Sequence, residues 1–183
     1  SANNNKKLKE TLKDIHYADI AELIDNLNID EATYLIKLLE SDTTADALAE
    51  IDDEKREKIL KNLSTKEIAE ELTELDTDDA VDIISELPEE RKERVISQIE
   101  DDKHIEDIRE LLTYDENTAG GLMAKELVKV NENLSVLKCL NEMRSQAENV
   151  TRVHSIYVVD GKNKLKGRLS LKDLITANSK AKV

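Results

Sequence analysis

The stretch Tyr114-Asp115-Glu116-Asn117-Thr118-Ala119-Gly120-Gly121-Leu122-Met123 divides a 183-residue chain into two parts that differ in composition, charge and hydrophobic period. No glycine precedes it, and all four glycines fall at or beyond Gly120. Residues 1–124 carry 15 Lys and Arg against 35 Asp and Glu, a formal charge of −20. Residues 125–183 carry 12 against 6, or +6. This contrast predicts a helical-repeat domain over 1–114, a connector over 115–124 and a small mixed domain over 125–183.

Upstream of the connector the chain repeats itself. A shift of 48 residues lays Asp19-Ile20-Ala21-Glu22 over Glu67-Ile68-Ala69-Glu70, and Asp30, Ala32, Ile36 and Leu39 over Asp78, Ala80, Ile84 and Leu87. Half that shift aligns apolar positions alone. One row reads Ile24, Leu48, Leu72, Ile96; others read Leu27, Ile51, Leu75, Ile99, then Ile36, Leu60, Ile84, Ile108, then Leu39, Leu63, Leu87, Leu111. A fixed period of this length predicts stacked pairs of short helices, each burying its stripe against its neighbours. The expected form is a right-handed superhelical stack. Asp30, Ser64 and Asp76 are placed to cap helices, and Pro88 to end or open one. Residues 1–14 are polar and read as a frayed start, with the helical pattern firm from Ile15.

Downstream the period changes. Leu127 to Val130 reads as a strand, Val136 to Ala147 as a helix capped by Ser135, and Ser155 to Val159 as a second strand. Asp160-Gly161 reads as a hairpin turn into a third strand, Lys164 to Leu169. Ser170 with Asp173 three residues on suggests a capping box for a last helix, Leu171 to Ala177. The order is β-α-β-β-α, so the chain as a whole is mainly α with a small α+β unit at its end.

Composition excludes several functions. The acid excess disfavours nucleic acid as a partner, and with four Tyr and no Trp or Phe there are few stacking platforms. A lone Cys139 among Val136, Leu137 and Leu140 reads as a buried thiol in a reducing compartment. His16, His104 and His154 lack metal-ligand spacing, and no nucleophilic triad, Walker loop or dinucleotide fingerprint is present, so no catalysis is expected. Gly120-Gly121 lacks the lysine and strand of a phosphate loop and reads as a place for a sharp backbone turn.

Carboxylates remain as the chemistry-bearing groups. In Asp76-Thr77-Asp78-Asp79-Ala80-Val81-Asp82, Asp78 and Asp82 fall one helical turn apart and repel by a few tenths of a kcal/mol, ~0.3 by the behaviour of like-charged i,i+4 pairs. A Mg2+ ion, which takes oxygen ligands and binds through one or two carboxylates while keeping waters, would reverse that penalty. The bland reading is that these aspartates complement the helix dipole and cap the first turn. Asp46 and Glu50 form a similar pair.

Gly167-Arg168-Leu169-Ser170-Leu171-Lys172-Asp173 resembles the CBS-domain pattern G-h-x-S/T-x-x-D, with Arg168 where an apolar residue belongs. In CBS domains that Ser and Asp contact the ribose and phosphate of adenosine ligands; here a helix cap accounts for both, and no nucleotide-binding residue is assigned. Together with the Ala-Gly-Gly-Leu-Met of the connector and the run Ser155 to Asp160, this makes the chain similar to the cytosolic part of MgtE-type magnesium transporters. The resemblance implies a helical N domain followed by the first CBS domain of a homodimer on the cytosolic face of the bacterial membrane. It implies a separate transmembrane domain and Mg2+ held between acidic faces, favouring a compact, pore-closed state. By position it gives Asp78, Asp82, Gly121 and Asp46 as metal ligands. The start at Ser1-Ala2 and the room for one CBS unit create the expectation of a longer native protein. Rival readings are a protein-interaction scaffold, since flagellar motor switch proteins have similar helical repeats, and an adenosine-nucleotide sensor.

Overall fold

The computed structural model describes residues 2–39, 41–147, 150, 153 and 155–183. The chain forms two compact units, Ser1–Met123 and Ala124–Val183.

In the first unit α1 (Ala2–Leu12) is followed by pairs of short helices. They are α2 (Tyr17–Asn26) with α3 (Ile29–Ile36), α4 (Ser41–Glu50) with α5 (Asp53–Lys61), α6 (Thr65–Glu74) with α7 (Thr77–Ser85), and α8 (Glu89–Ile96) with α9 (Asp102–Leu111). The first helices of the pairs begin at residues 17, 41, 65 and 89, which is the 24-residue shift of the apolar rows. Stacking joins alternate helices: α2 packs on α4, α4 on α6, α6 on α8, and α3 on α5 and α7 on α9. The rows supply the core, with Ile24, Leu48, Leu72 and Ile96 all at 1 % exposure or less. Helices this short are marginal alone and are held by that burial.

Local chemistry sets the boundaries. Asn28 and Ser64 each form a capping box with the glutamate three residues on, Glu31 and Glu67. The cap of α3 is therefore Asn28 rather than Asp30, which sits in the first turn. Asp76 occupies the N-cap position of α7 without a side-chain capping bond, and Pro88 that of α8. Helix C-termini leave carbonyls unpaired, and cations from later helices close them. Lys55 Nζ donates to the carbonyls of Asp25 (2.8 Å) and Leu27, and Arg91 donates to Leu60 (3.0 Å) and Leu63 (2.7 Å). His104 Nε2 donates to Leu72 at 3.0 Å. His16 instead caps α2, and His154 lies outside the described residues. The polar start is not frayed: α1 is a helix, Leu12 is buried, Leu8 packs on the core, and Tyr34 donates a 2.6 Å hydrogen bond to Asn5.

The second unit is a βαββα arrangement of β1 (Val128–Asn131), α10 (Val136–Ala147), β2 (Ile156–Val159), β3 (Leu165–Leu169) and α11 (Leu171–Thr176). β2 lies between a parallel β1 and an antiparallel β3. Val128, Val130, Ile156 and Val158 face Val136, Cys139 and Leu174 in a separate small core. In the hairpin, Asp160 Oδ1 accepts from the amides of Lys162 and Lys164 (2.9 and 3.0 Å), and Asn163 takes the left-handed position at φ 61°. The turn thus depends on Asp160 and Asn163 and makes no left-handed demand on Gly161. No described helix is long and apolar enough to cross a membrane.

Candidate functional site

A cavity of about 390 Å³ opens in the first unit where α5, α7, the connector and the end of α9, with Leu111 and Leu112, meet. From α5 come Asp53 and Arg56; from α7 and its C-terminus come Asp82, Ser85 and Glu86; from the connector come Tyr114, Glu116 and Gly121. Asp82 and Glu86 reach it together because residues four apart share a helix face.

The connector is a folded loop of this unit. Asp115 Oδ1 accepts from Asn117 N at 2.9 Å, and its carbonyl accepts from Thr118 N (3.0 Å) and Thr118 Oγ1 (2.7 Å). Thr118 in turn accepts from Gly121 N at 3.3 Å and Leu122 N at 3.1 Å, and Met123 packs on the helical core. Neither Gly120 nor Gly121 has positive φ. Closeness, not a turn, is what requires them. A Cβ on Gly121 would stand 2.4 Å from the Asp115 carbonyl oxygen and 2.7 Å from Glu116 Cα, while one on Gly120 would meet the Tyr114 ring at 2.6 Å.

Arg56 is the cavity's one described cation, and it is 6 % exposed. Nη1 donates to the carbonyls of Leu48, Ala49 and Ile51 at the end of α4, at 3.3, 3.0 and 3.0 Å. Nε donates to both oxygens of Glu86 (3.0 and 3.1 Å), and Nη2 to Asp53 (2.8 Å) and Glu86. Its five N–H groups are thereby employed. Asp82 has no hydrogen-bond or ion-pair partner among the described residues. Its carboxyl is pushed up by partial burial and by Asp78, Asp53 and Glu116, against the opposing pull of Arg56.

Of the four residues given by the resemblance, the structure brings Asp82 and Gly121 to this cavity. Asp78 lies one turn earlier on α7, outside the lining, and acts on Asp82 through its charge. Asp46, on α4, acts on Asp79 rather than Asp82. Among the described residues no three His, Cys, Asp or Glu side chains converge as a metal cage. The carboxylates of Asp82 and Glu116 line the cavity outside the guanidinium's hydrogen bonds, and as oxygen donors they are of the type that Mg2+ takes and a soft metal does not. Sequence reasoning missed Arg56, Asp53, Glu86 and Glu116. A signal existed: Arg56 stands 24 residues from both Ala32 and Ala80, which are wholly buried alanines, so a cation breaks an apolar row.

Asp79 marks a second point of charge crowding. Its side chain reaches solvent, yet its carboxyl is pushed up to about 6, chiefly by partial loss of hydration and then by Asp78, Asp76, Asp82 and Asp46. A carboxyl whose folded pKa exceeds its ordinary value destabilises the fold when ionised. Stability therefore rises as pH falls from 7 through about 6, and the gain is complete below the ordinary value of 3.8. Denaturation midpoints at pH 7.5 and 5.0 should show this gain in the parent and a smaller one in Asp79→Asn; equal gains would remove Asp79 as its source. Glu67 acts oppositely. Lys37 and the Ser64 amide hold it down to about 2, so its contribution is present above 4.5 and is lost as pH falls toward 2.

In the second unit Ser170 Oγ donates to Asp173 Oδ2 at 2.6 Å and accepts from Asp173 N at 3.0 Å, so both residues serve the cap of α11. On the sheet's solvent face, Lys129, Tyr157 and Arg168 lie in one register row.

A family model described as the MgtE intracellular N domain matches residues 15–117, and a CBS domain model matches residues 119–180. Over 70 residues the chain is 46% identical to the magnesium transporter MgtE of Thermus thermophilus, a match covering 38% of this chain and 16% of that protein. Over 64 residues it is 38% identical to the magnesium transporter MgtE of Enterococcus faecalis, covering 35% of this chain and 14% of that protein. Among solved structures it is similar to the cytosolic domain of the Mg2+ channel MgtE in complex with ATP. The TM-score is 0.87 at 33% identity, covering 97% of this chain and 72% of that one. It is also similar to the soluble part of a magnesium transporter, with a TM-score of 0.85 at 26% identity, covering 99% and 71%.

Proposed function

The chain belongs to the MgtE family, and on that premise we propose that it is the Mg2+-sensing regulatory region of a magnesium transporter. In this reading residues 1–114 are the N domain, 115–124 the connector and 125–183 one CBS domain, carried on the cytosolic face of a bacterial membrane. The full protein is a homodimer through its CBS domains, with a transmembrane domain outside this chain. It has no catalysis of its own and no nucleic-acid partner.

The observation that carries the reading is the meeting of Asp82, Glu116 and Gly121 at one cavity lined with carboxylates. Bound there, Mg2+ supplies two positive charges within a shell of water and hard oxygen ligands. Asp82 and Glu116 are its carboxylate donors, and the Gly121 backbone oxygen is a neutral one. Asp78 and Asp46 add negative potential without lining the cavity. Ionised and unscreened, these groups repel one another and oppose close approach of acidic surfaces. Cation binding to the approached state alone stabilises that state by mass action, and loss of the cation lets it spread.

Limited trypsin digestion tests this at Lys125, next to the connector. Millimolar Mg2+ should protect the parent, and Asp78→Ala with Asp82→Ala should lose that protection. Equal cleavage of the two proteins would reduce these residues to ordinary helix-dipole partners.

A second reading, adenosine-nucleotide sensing by the CBS unit, is favoured by the ATP in one structural relative and by the solvent-facing row of Lys129, Tyr157 and Arg168. Both can hold in one protein, because they concern different units.

A further inference from the structure

A groove of about 500 Å³ runs over the first helix pair of the stack. Its floor is apolar, made by Leu8 of α1, Leu23 and Leu27 at α2, and Tyr34 and Leu35 of α3. Asp30 and Glu31 complete the described lining, and no residue of α4 or α5 takes part. The 24-residue register identifies the side of the stack on which it lies. Leu23 aligns with Ala47, Glu71 and Val95. Ala47 and Val95 are wholly buried, and Glu71 on α6 accepts a 2.6 Å hydrogen bond from Thr44 of α4, the corresponding helix one pair earlier. The position therefore faces the preceding pair. On α2 this side is reached by Leu8 of α1, which still leaves Leu23 40 % exposed. Tyr34 departs from the repeat as well: its counterparts Lys58, Asp82 and Glu106 are charged and exposed, as suits a position facing water, whereas Tyr34 is aromatic and 50 % exposed.

We propose that this groove docks an amphipathic helix of a partner protein, one with an apolar stripe and with Lys or Arg beside the stripe. The stack supplies the shape. A helix laid here rests on α2 as α2 rests on α4, and helices held in apolar grooves anchor through residues at i, i+3, i+4 and i+7. Charge selects the flanks. The charged residues lining the groove are the carboxylates Asp30 and Glu31, and Asp19 lies one turn before Leu23 on the same face of α2. Lys9 and Lys13 of α1 turn instead to a separate hollow with Leu12, Leu39 and Thr43. Residues 1–124 as a whole carry −20. A basic helix is drawn to such a rim and set in register by it, whereas a second copy offering the same face would bring like charges together.

Fluorescence anisotropy of a labelled synthetic peptide of roughly 14 residues, about four helical turns, measures docking on the whole chain. The peptide carries leucines in that stripe and lysines elsewhere; a second peptide of the same composition, with its leucines scattered around the helix, reports attraction by charge alone. The striped peptide should bind more tightly than the scattered one, and Leu23→Ser should weaken it by on the order of tenfold, the scale of an interface anchor. Asp30→Asn should weaken it by less and flatten its dependence on salt. Leu23 lies outside the buried core and Asp30 is not a cap, so both variants should keep their helical circular dichroism. If Leu23→Ser loses it, Tyr34→Ser carries the test. Equal affinity of the two peptides for the parent, or of the striped peptide for the parent and the groove variant, overturns the proposal. Sedimentation of the parent alone covers the other occupant: a dimer dispersed by Leu23→Ser would assign the groove to a second copy and overturn the proposal as well.

Discussion

Gly121→Ala should weaken the response of this chain to Mg2+ by on the order of tenfold to a hundredfold while leaving its helical content intact. The added Cβ would lie 2.4 Å from the Asp115 carbonyl oxygen and 2.7 Å from Glu116 Cα. Both obstacles are backbone, and both belong to the loop that carries Glu116 to the cavity. Relief therefore requires the loop to open, which breaks the bonds that Thr118 makes to Asp115, Gly121 and Leu122. Loss of the groups that orient metal ligands costs a site on the order of tenfold to a hundredfold in affinity, and the loop that carries Glu116 supports the cavity in that sense. Gly161→Ala, in the hairpin turn of the second unit, is the control: a Cβ there meets nothing within 4 Å and the turn needs no left-handed residue at that position, so the Mg2+ response should be unchanged. Circular dichroism and Mg2+ titration of the two variants check this, and equal behaviour would mean that the close approach at Gly121 is not what shapes the cavity.

Leu72→Ala should produce the largest loss of stability, about 3 kcal/mol within the range of roughly 2–5 measured for buried leucines. Leu72 is fully buried at the middle of a row that runs from Ile24 through Leu48 to Ile96. In a stack, stability is close to a sum of unit terms and nearest-neighbour interfaces. A cavity at α6 therefore weakens contacts to α4 and α8 together. Native domains hold only about 5–15 kcal/mol in reserve, so this one substitution removes a large share. Leu23→Ala, at an apolar residue 40 % exposed, should cost far less. Urea denaturation of the two variants decides it. A loss at Leu72 no greater than at Leu23 would deny that the 24-residue rows hold the unit together.

The helical period was the most legible property of the chain. The row of Ile24, Leu48, Leu72 and Ile96 predicts where helices stack because burial selects the same face in every unit, and the helix starts at 17, 41, 65 and 89 follow it. Position 30 misled because Asp is a good cap residue anywhere near a helix start; Asn28 wins by forming the reciprocal box with Glu31. The polar residues 2–12 gave no period strong enough to see, and α1 is fixed by tertiary contacts of Leu8 and Leu12. Gly161 looked like the hinge of the hairpin, but Asn163 supplies the left-handed residue while Asp160 ties the turn.

The cavity was legible only in part, for a physical reason. Asp78 and Asp82 attract notice because they are four apart in sequence, yet their partners are set by the stack. Glu86 meets Arg56 across 30 residues, and Gly121 joins Asp82 across a longer span. Helical periodicity cannot foresee such meetings, since it fixes which face is buried but not which polar groups line the gap that remains. The glycine pair was noticed for the freedom it gives the backbone. Its role is the absence of a side chain where two stretches of the same loop touch.

The central claim, that this acidic cavity binds Mg2+, is tested most directly by titration calorimetry of the whole chain with MgCl2, against NaCl of equal ionic strength. The account predicts saturable heat with Mg2+, none with Na+, and its loss in Asp82→Asn. A Mg2+ isotherm indistinguishable from that of Na+, or unchanged by Asp82→Asn, would contradict it.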